Sequence, residues 1–221
     1  MTNPREYTEE ERARTLVAEQ LRRISHELMR GDHPASELGE MAERLRNEAD
    51  GLTGADDRVR DLTRFAEPGI MPTPDDGEEF FNSPDRPVSG LGHPWSIPLR
   101  VFRKGDRAVS DVVLGRGFEG APHMAHGGFV AAIFDDLLGF LLMMEGVMAF
   151  TASLTVNFHR GTPIGAPLHF EAWTDRTDGR KLFLAGECRD ANGELLTSSE
   201  GLFIDARDHF DALVAGEAHV D

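Results

Sequence analysis

The segment His126-Gly127-Gly128-Phe129-Val130-Ala131-Ala132-Ile133-Phe134-Asp135-Asp136-Leu137-Leu138-Gly139-Phe140-Leu141-Leu142-Met143 constrains this chain more than any other. It reads as a helix with almost no polar face, and a helix apolar all round belongs in a core or in a membrane. Two adjacent carboxylates, Asp135 and Asp136, sit in its middle. A buried carboxylate without a partner is costly, so such a group is paired or functional. The helix opens on His-Gly-Gly. Unpaired backbone N–H groups at a helix start attract negative charge, and glycine lets a ligand approach the main chain. An electropositive helix start with an acid two turns later suits a site that handles a developing oxyanion.

Composition decides between core and membrane. The only candidate span, Phe129 to Met148, contains Asp135, Asp136 and Glu145. A central Asp alone raises the insertion cost by roughly 2.5–3.5 kcal/mol, so the core reading is taken. The formal net charge of −16 argues against nucleic acid as a partner, because the phosphate backbone needs a basic surface. It also disfavours an anionic membrane surface, and it leaves an anionic ligand only a local basic cluster. One cysteine, Cys188, rules out an intramolecular disulfide and suits a reducing compartment. The start, MTNPREYTEEERART, lacks the basic and apolar regions of a secretory signal, so a cytoplasmic location is expected.

Along the chain, residues Glu6 to Arg30 read as an amphipathic helix with Thr8 and Glu11 as a capping box and Leu16, Leu21, Ile24 and Leu28 as its stripe. A second helix is expected from Ser36, as its N-cap, to Glu48, with Leu38, Met41 and Leu45 as its stripe. Both stripes should bury against the core or a neighbouring subunit. Asp50 to Gly92 is rich in Pro, Gly and Asp and reads as an irregular connection wrapping over the core. Two strands follow, Pro98 to Lys104 and Ala108 to Leu114, then a glycine-rich loop from Gly115 to Ala125, then the buried helix. Four strand-like runs come next: Ala149–His159, Ala166–Thr174, Lys181–Arg189 and Leu195–Asp205. Asp178-Gly179 and Asn192-Gly193 between the later runs are hairpin-turn signals, so these runs read as an antiparallel meander. A curved antiparallel sheet around one helix is an α+β architecture. The chain divides into a helical extension (1–50), the connection (51–95), the α+β domain (96–205) and a tail (206–221).

This order and its motifs resemble the hotdog fold, and within it the phenylacetyl-CoA-thioesterase-like acyl-CoA thioesterases. The resemblance spans roughly Ser96 to Ile204 and centres on His126-Gly127-Gly128 with Asp135 seven residues after Gly128. It implies that Asp135 acts as general base or nucleophile, that the Gly127 N–H polarises the thioester carbonyl, and that the two come from opposite subunits of a dimer. Thr151-Ala152-Ser153-Leu154-Thr155-Val156-Asn157-Phe158 resembles the family strand that offers a hydroxyl to the site. Gly179-Arg180-Lys181-Leu182-Phe183 resembles the turn near bound coenzyme A. Many members carry Pro-Gly where this chain has Pro122-His123, and some carry Asn at the place of Gly120.

Residue by residue, Asp135 shares a helix face with Gly128, Ala131, Ala132 and Gly139, all small enough to admit another element. Asp136 points about 100° further round and reads as structural. Gly127 and Gly128 are either packing glycines or, with His126 before them, part of an oxyanion contact. His126 is read as orienting the loop through its ring N–H. Thr151 and Ser153 alternate with Ala152, which predicts one shared sheet face; either could place the attacking water. Arg160, Arg180 and Lys181 are candidates for coenzyme A phosphates. No metal is expected, since His123, His126 and Asp135 find no further ligand at suitable spacing. Cys188 reads as a buried small hydrophobe.

The expected function is hydrolysis of an acyl-CoA thioester, with water as co-substrate and no separate cofactor. The expected assembly is a homodimer or a dimer of dimers, because one curved sheet leaves an edge to cover. Two rival readings stand beside it: an enoyl-CoA hydratase or dehydratase pairing Asp135 with a histidine, and a non-catalytic acyl-binding regulator.

Overall fold

The computed structural model describes residues 7–58 and 73–207; part of the connection (59–72) and most of the expected tail (208–221) lie outside these residues. Helix α1 (Glu9–Arg30) starts at the expected capping box: Thr8 Oγ1 accepts the Glu11 N–H and the Glu11 carboxylate accepts the Thr8 N–H at 2.8 Å. Helix α2 (Ala35–Gly51) begins one residue earlier than expected. Its N-cap is Pro34, not Ser36, and no side chain caps it. Pro34 places its carbonyl to accept the Leu38 N–H at 3.1 Å, so the first turn closes before Ser36 could serve.

Six strands form one antiparallel sheet: β1 (Phe102–Lys104), β2 (Arg107–Val113), β3 (Ala149–Phe158), β4 (Pro167–Asp178), β5 (Lys181–Asp190) and β6 (Leu195–Asp205). Their spatial order is β1-β2-β4-β5-β6-β3. The expected four-strand meander is therefore corrected. Only β4-β5-β6 is a meander, and β3 pairs with β6 on the far side. The β3–β4 link crosses the helix start: Ala125 N–H bonds Thr162 O and Gly165 N–H bonds Leu114 O, each at 2.8 Å. That crossing delivers β4 beside β2 and lets the sheet close around the helix.

Helix α3 (Gly127–Met144) is the hub. Val130, Ile133, Phe134, Leu137, Leu138 and Phe140 are fully buried, and strands β2 to β6 all pack on it. By length and composition α3 could cross a membrane; here the sheet wraps it as the single core helix of a hotdog fold. The hairpin turns fall where Gly179 (φ +56°) and Gly193 (φ +80°) take left-handed backbone.

Residues 73–101 form a strap across the outer side of α3, with Phe80, Ile97, Leu99 and Val101 buried in the common core. Phe80 packs against Phe140 with tilted rings, 5.5 Å between ring centres, and Thr73 Oγ1 donates to Met143 O at 3.0 Å. The expected strand from Pro98 begins only at Phe102, because its first residues belong to this strap: the Phe80 N–H bonds Val101 O at 2.8 Å.

Within the single chain the core does not receive the α1 stripe: Leu16, Leu21 and Leu28 are exposed and Ile24 is half-buried, while another face, Glu11, Ala18 and Arg22, is buried. The physical cause is polar. Arg22 Nη1 donates to Leu91 O (2.8 Å), His93 O (2.7 Å) and Ser96 Oγ (3.3 Å), so α1 docks through a guanidinium that satisfies strap carbonyls. No α2 residue is buried, and Leu38 and Leu45 of its stripe are exposed.

Candidate active site

Asp135 and Asp136 are neighbours in sequence with opposite fates. Asp136 is buried and bound by Arg86 of the strap: Oδ1 accepts from Nε at 3.0 Å and from Nη2 at 2.6 Å. The same guanidinium lies over the Phe140 ring, 4.2 Å from its centre. This is a structural ion pair, and Arg86 is a residue that sequence reasoning missed. It sits 50 positions away in an aperiodic segment, with no local pattern to point at it.

Among the described residues Asp135 has no cationic partner. It is half-buried, and Oδ1 accepts from Thr151 Oγ1 at 2.9 Å. Gly128, Ala131, Ala132 and Gly139 on its face are half-buried or exposed, whereas Val130, Ile133, Phe134, Leu137, Leu138 and Phe140 are buried. Beside them runs β3, an edge strand whose Phe150 and Phe158 are each about half exposed. A strip of small residues, a free carboxylate side and an open strand edge thus adjoin.

The expectation that Thr151 and Ser153 share a face is corrected. The β3–β6 register slips between them, so Thr151 lies opposite Phe203 and Ser153 opposite Leu202. Phe203 is buried toward α3, whereas its neighbour Leu202 alternates to the outer face. The β-bulge at Ala152 therefore turns Thr151 toward Asp135 and Ser153 away.

His126 is the N-cap of α3. Its Nδ1 accepts the Gly128 N–H at 3.0 Å. The expected role is right in place and wrong in sense: the ring caps the helix as an acceptor, not as an N–H donor. Gly128 is consumed by this cap. The Gly127 N–H, at the first helical position, meets no protein acceptor among the described residues. A Cβ on Gly127 would lie 3.1 Å from Phe158 Cζ, a second contact not foreseen from the sequence.

His123 adopts φ +65°, the left-handed backbone that glycine takes readily. Its N–H is held by Glu119 Oε1 at 2.6 Å, and its carbonyl accepts the Ile164 N–H at 3.1 Å. That N–H, and then Arg116, keep the Glu119 carboxyl below its usual range. Gly120 has no such latitude: a Cβ there would sit 2.8 Å from His126 Cα.

The three basic candidates do not form one cluster in a protomer. Arg160 pairs with Glu194 at 2.7 Å, and Arg180 donates to Asp205 O at 2.8 Å. Lys181 is exposed beside Arg180. Lys181 faces Ile204, while Arg160 bonds at Leu196, near the other end of β6, roughly 25 Å away at strand rise. Among the described residues no group of His, Cys, Asp and Glu has the makings of a metal site. Cys188 is buried, and burial, with Asp190 adding, pushes its thiol up to about 12.

The chain is similar in sequence and in fold to known proteins. The Thioesterase superfamily profile matches residues 123–197, from the approach loop into β6. Over 118 residues the chain is 34% identical to the Bos taurus protein "Acyl-coenzyme A thioesterase THEM4", covering 52% of this chain and 47% of that one. It is 29% identical over 119 residues to the Mus musculus "Acyl-coenzyme A thioesterase THEM5", covering 53% and 47%. The chain thus spans about half the length of the curated relatives it matches. A solved "thioesterase superfamily protein" aligns with TM-score 0.71 and 27% identity, over 87% of this chain and 90% of that one.

Proposed function

We propose that this chain, whose residues 123–197 match the Thioesterase superfamily model, hydrolyses acyl-CoA thioesters to a carboxylic acid and coenzyme A. The observation that carries the reading is Asp135: a carboxylate on a strip of small residues, oriented by the Thr151 hydroxyl at 2.9 Å and without a cation to neutralise it. The unpaired Gly127 N–H at the start of α3 supplies the complementary donor.

Within one chain eight residues of α-helix separate the two groups, about 12 Å along the axis, a longer reach than a thioester carbonyl and its attacking water comfortably bridge. The proposed site therefore pairs Asp135 of one subunit with Gly127 of another, and the edge strand β3 with its exposed Phe150 and Phe158 is the surface that a second copy would cover. A homodimer is the minimal unit, and a dimer of dimers is compatible with it. Such pairing can also bring Arg160 of one subunit toward Arg180 and Lys181 of its partner, the basic groups offered to coenzyme A phosphates.

In this reading Asp135 takes a proton from water as the water oxygen bonds to the carbonyl carbon. Negative charge collects on the carbonyl oxygen at the Gly127 N–H. Collapse breaks the C–S bond, and the thiolate takes up the proton. Direct attack by Asp135, through a mixed anhydride that water then opens, uses the same groups. Water is the only co-reactant. A cytoplasmic setting fits the single, buried cysteine. The hydratase alternative needs His126 or His123 to work with Asp135; Nδ1 of His126 is already engaged by the Gly128 N–H.

The test is a panel of acyl-CoA esters scored by released thiol. Turnover of at least one ester by the native chain, absent in Asp135→Ala, is expected. Hydration of enoyl-CoA without thiol release, or no turnover of any ester, overturns the reading.

A further inference from the structure

Helix α1 reaches the proposed site through one side chain. His26 Nδ1 accepts the Gly117 N–H at 2.9 Å. The ring stands edge-on to Phe118 at 4.9 Å, and Phe118 stands edge-on to Phe129 of α3, also at 4.9 Å. The carbonyl of Phe118 accepts the His126 N–H at 2.8 Å. The loop is cut to fit the ring: a Cβ on Gly115 or on Gly117 would come within 2.9 Å and 2.8 Å of His26 Nδ1. One turn earlier, Arg22 fixes α1 to the strap through Leu91, His93 and Ser96. From α1 to the cap of α3 the contacts are thus continuous: His26, the 3₁₀ turn Arg116–Phe118, then His126 and Phe129.

We infer that His26 is a positioning residue of the thioesterase site: it holds the Arg116–Phe118 turn, and through Phe118 it sets the place of His126 and of the Gly127 N–H that follows. This rests on the function proposed above. It gives the helical extension a part in the chemistry without supplying a reacting group. The accepting Nδ1 fixes the neutral imidazole with its proton on Nε2, a form that burial of the ring also favours by lowering its pKa.

The experiment compares His26→Phe, which keeps the ring on Phe118 but leaves the Gly117 N–H without an acceptor, with His26→Asn, whose amide oxygen can replace Nδ1. Each is assayed with the best acyl-CoA ester of the panel, and amide hydrogen exchange is followed at residues 117 and 126–128. His26→Phe is expected to lower kcat roughly 10- to 100-fold, the scale set by ångström-level misplacement, with KM changed less than about twofold. Exchange at 126–128 should rise, and His26→Asn should restore most of both. Gly117→Ala, which drives the ring out, should imitate His26→Phe and add little in a His26→Ala background. A kcat within about twofold of the native value in His26→Phe overturns the inference even if the melting temperature falls, and so does a failure of His26→Asn to recover. If the native chain hydrolyses no ester, the proposed function fails, and exchange at 126–128 alone decides whether α1 governs the helix cap.

Discussion

The Thr151 hydroxyl donates to Oδ1 of Asp135 across 2.9 Å, beside a β-bulge at Ala152 that breaks the alternation of the edge strand and puts Ser153 on the other face. This bond leaves Oδ2 of Asp135 available to a substrate or a water molecule. Asp135→Ala should reduce thioester turnover by about 10²–10⁴-fold, the range of general-base catalysis. The fold should hold, since an Ala fits among Gly128, Ala131 and Ala132. Thr151→Val should cost roughly tenfold in kcat, in line with one hydrogen bond to a charged group, while Thr151→Ser stays near native. Steady-state kinetics with matched circular dichroism check both. Normal turnover in Asp135→Ala would remove Asp135 from the mechanism.

Gly127→Pro tests the oxyanion donor cleanly. Proline is well tolerated at the first position of a helix, His126 before it already has the extended backbone that a following proline requires, and the change deletes the one N–H at issue. The pyrrolidine crowds Phe158, whose half-exposed ring has room to yield. A fall in kcat of about 10²-fold is expected. Mixing this variant with Asp135→Ala and reassociating the subunits should recover about one quarter of native activity, because half of the dimers are mixed and each mixed dimer has one intact site. No recovery on mixing would place both groups in one chain's site.

Arg86→Ala should act on stability, not chemistry. The pair is largely buried, with side-chain exposures of 20% and 10%, and among the described residues Asp136 Oδ2 finds no hydrogen-bond partner. Stranding that carboxylate should cost about 3 kcal/mol, read from urea unfolding. Asp136→Asn should cost less, about 1–2 kcal/mol, because a neutral amide leaves no buried anion. Turnover per folded molecule should stay within a few-fold of native in both. If Asp136→Asn abolishes turnover while Asp135→Ala does not, the catalytic acid has been misassigned.

Cys188 should be silent. With its thiol held near 12 by burial, almost none is thiolate at pH 8, and the thiolate is the reactive form. Disulfide-based thiol reagents should label the native chain negligibly and label it stoichiometrically in denaturant. Rapid labelling of the native chain would show that β5 opens far more readily than its packing implies.

What the sequence determined by itself was local or periodic. A helix apolar on nearly every side, with two acids in its middle to exclude a membrane, had to become the core. The capping box at Thr8 and Glu11, the Gly179 and Gly193 turns, and the spacing from His126 to Asp135 were all written in neighbouring residues. What tertiary structure alone decided depends on long-range partners. The strand order required the link over the helix start. The split between Asp135 and Asp136 required Arg86, and the separation of Thr151 from Ser153 required a register slip against β6. The docking of α1 by its polar face is the sharpest case. Its apolar stripe pointed one way, yet carbonyls at Leu91 and His93 and a loop of glycines at 115 and 117 were waiting for Arg22 and His26. A helix buries whichever face finds complementary partners, and those partners cannot be read from the helix itself.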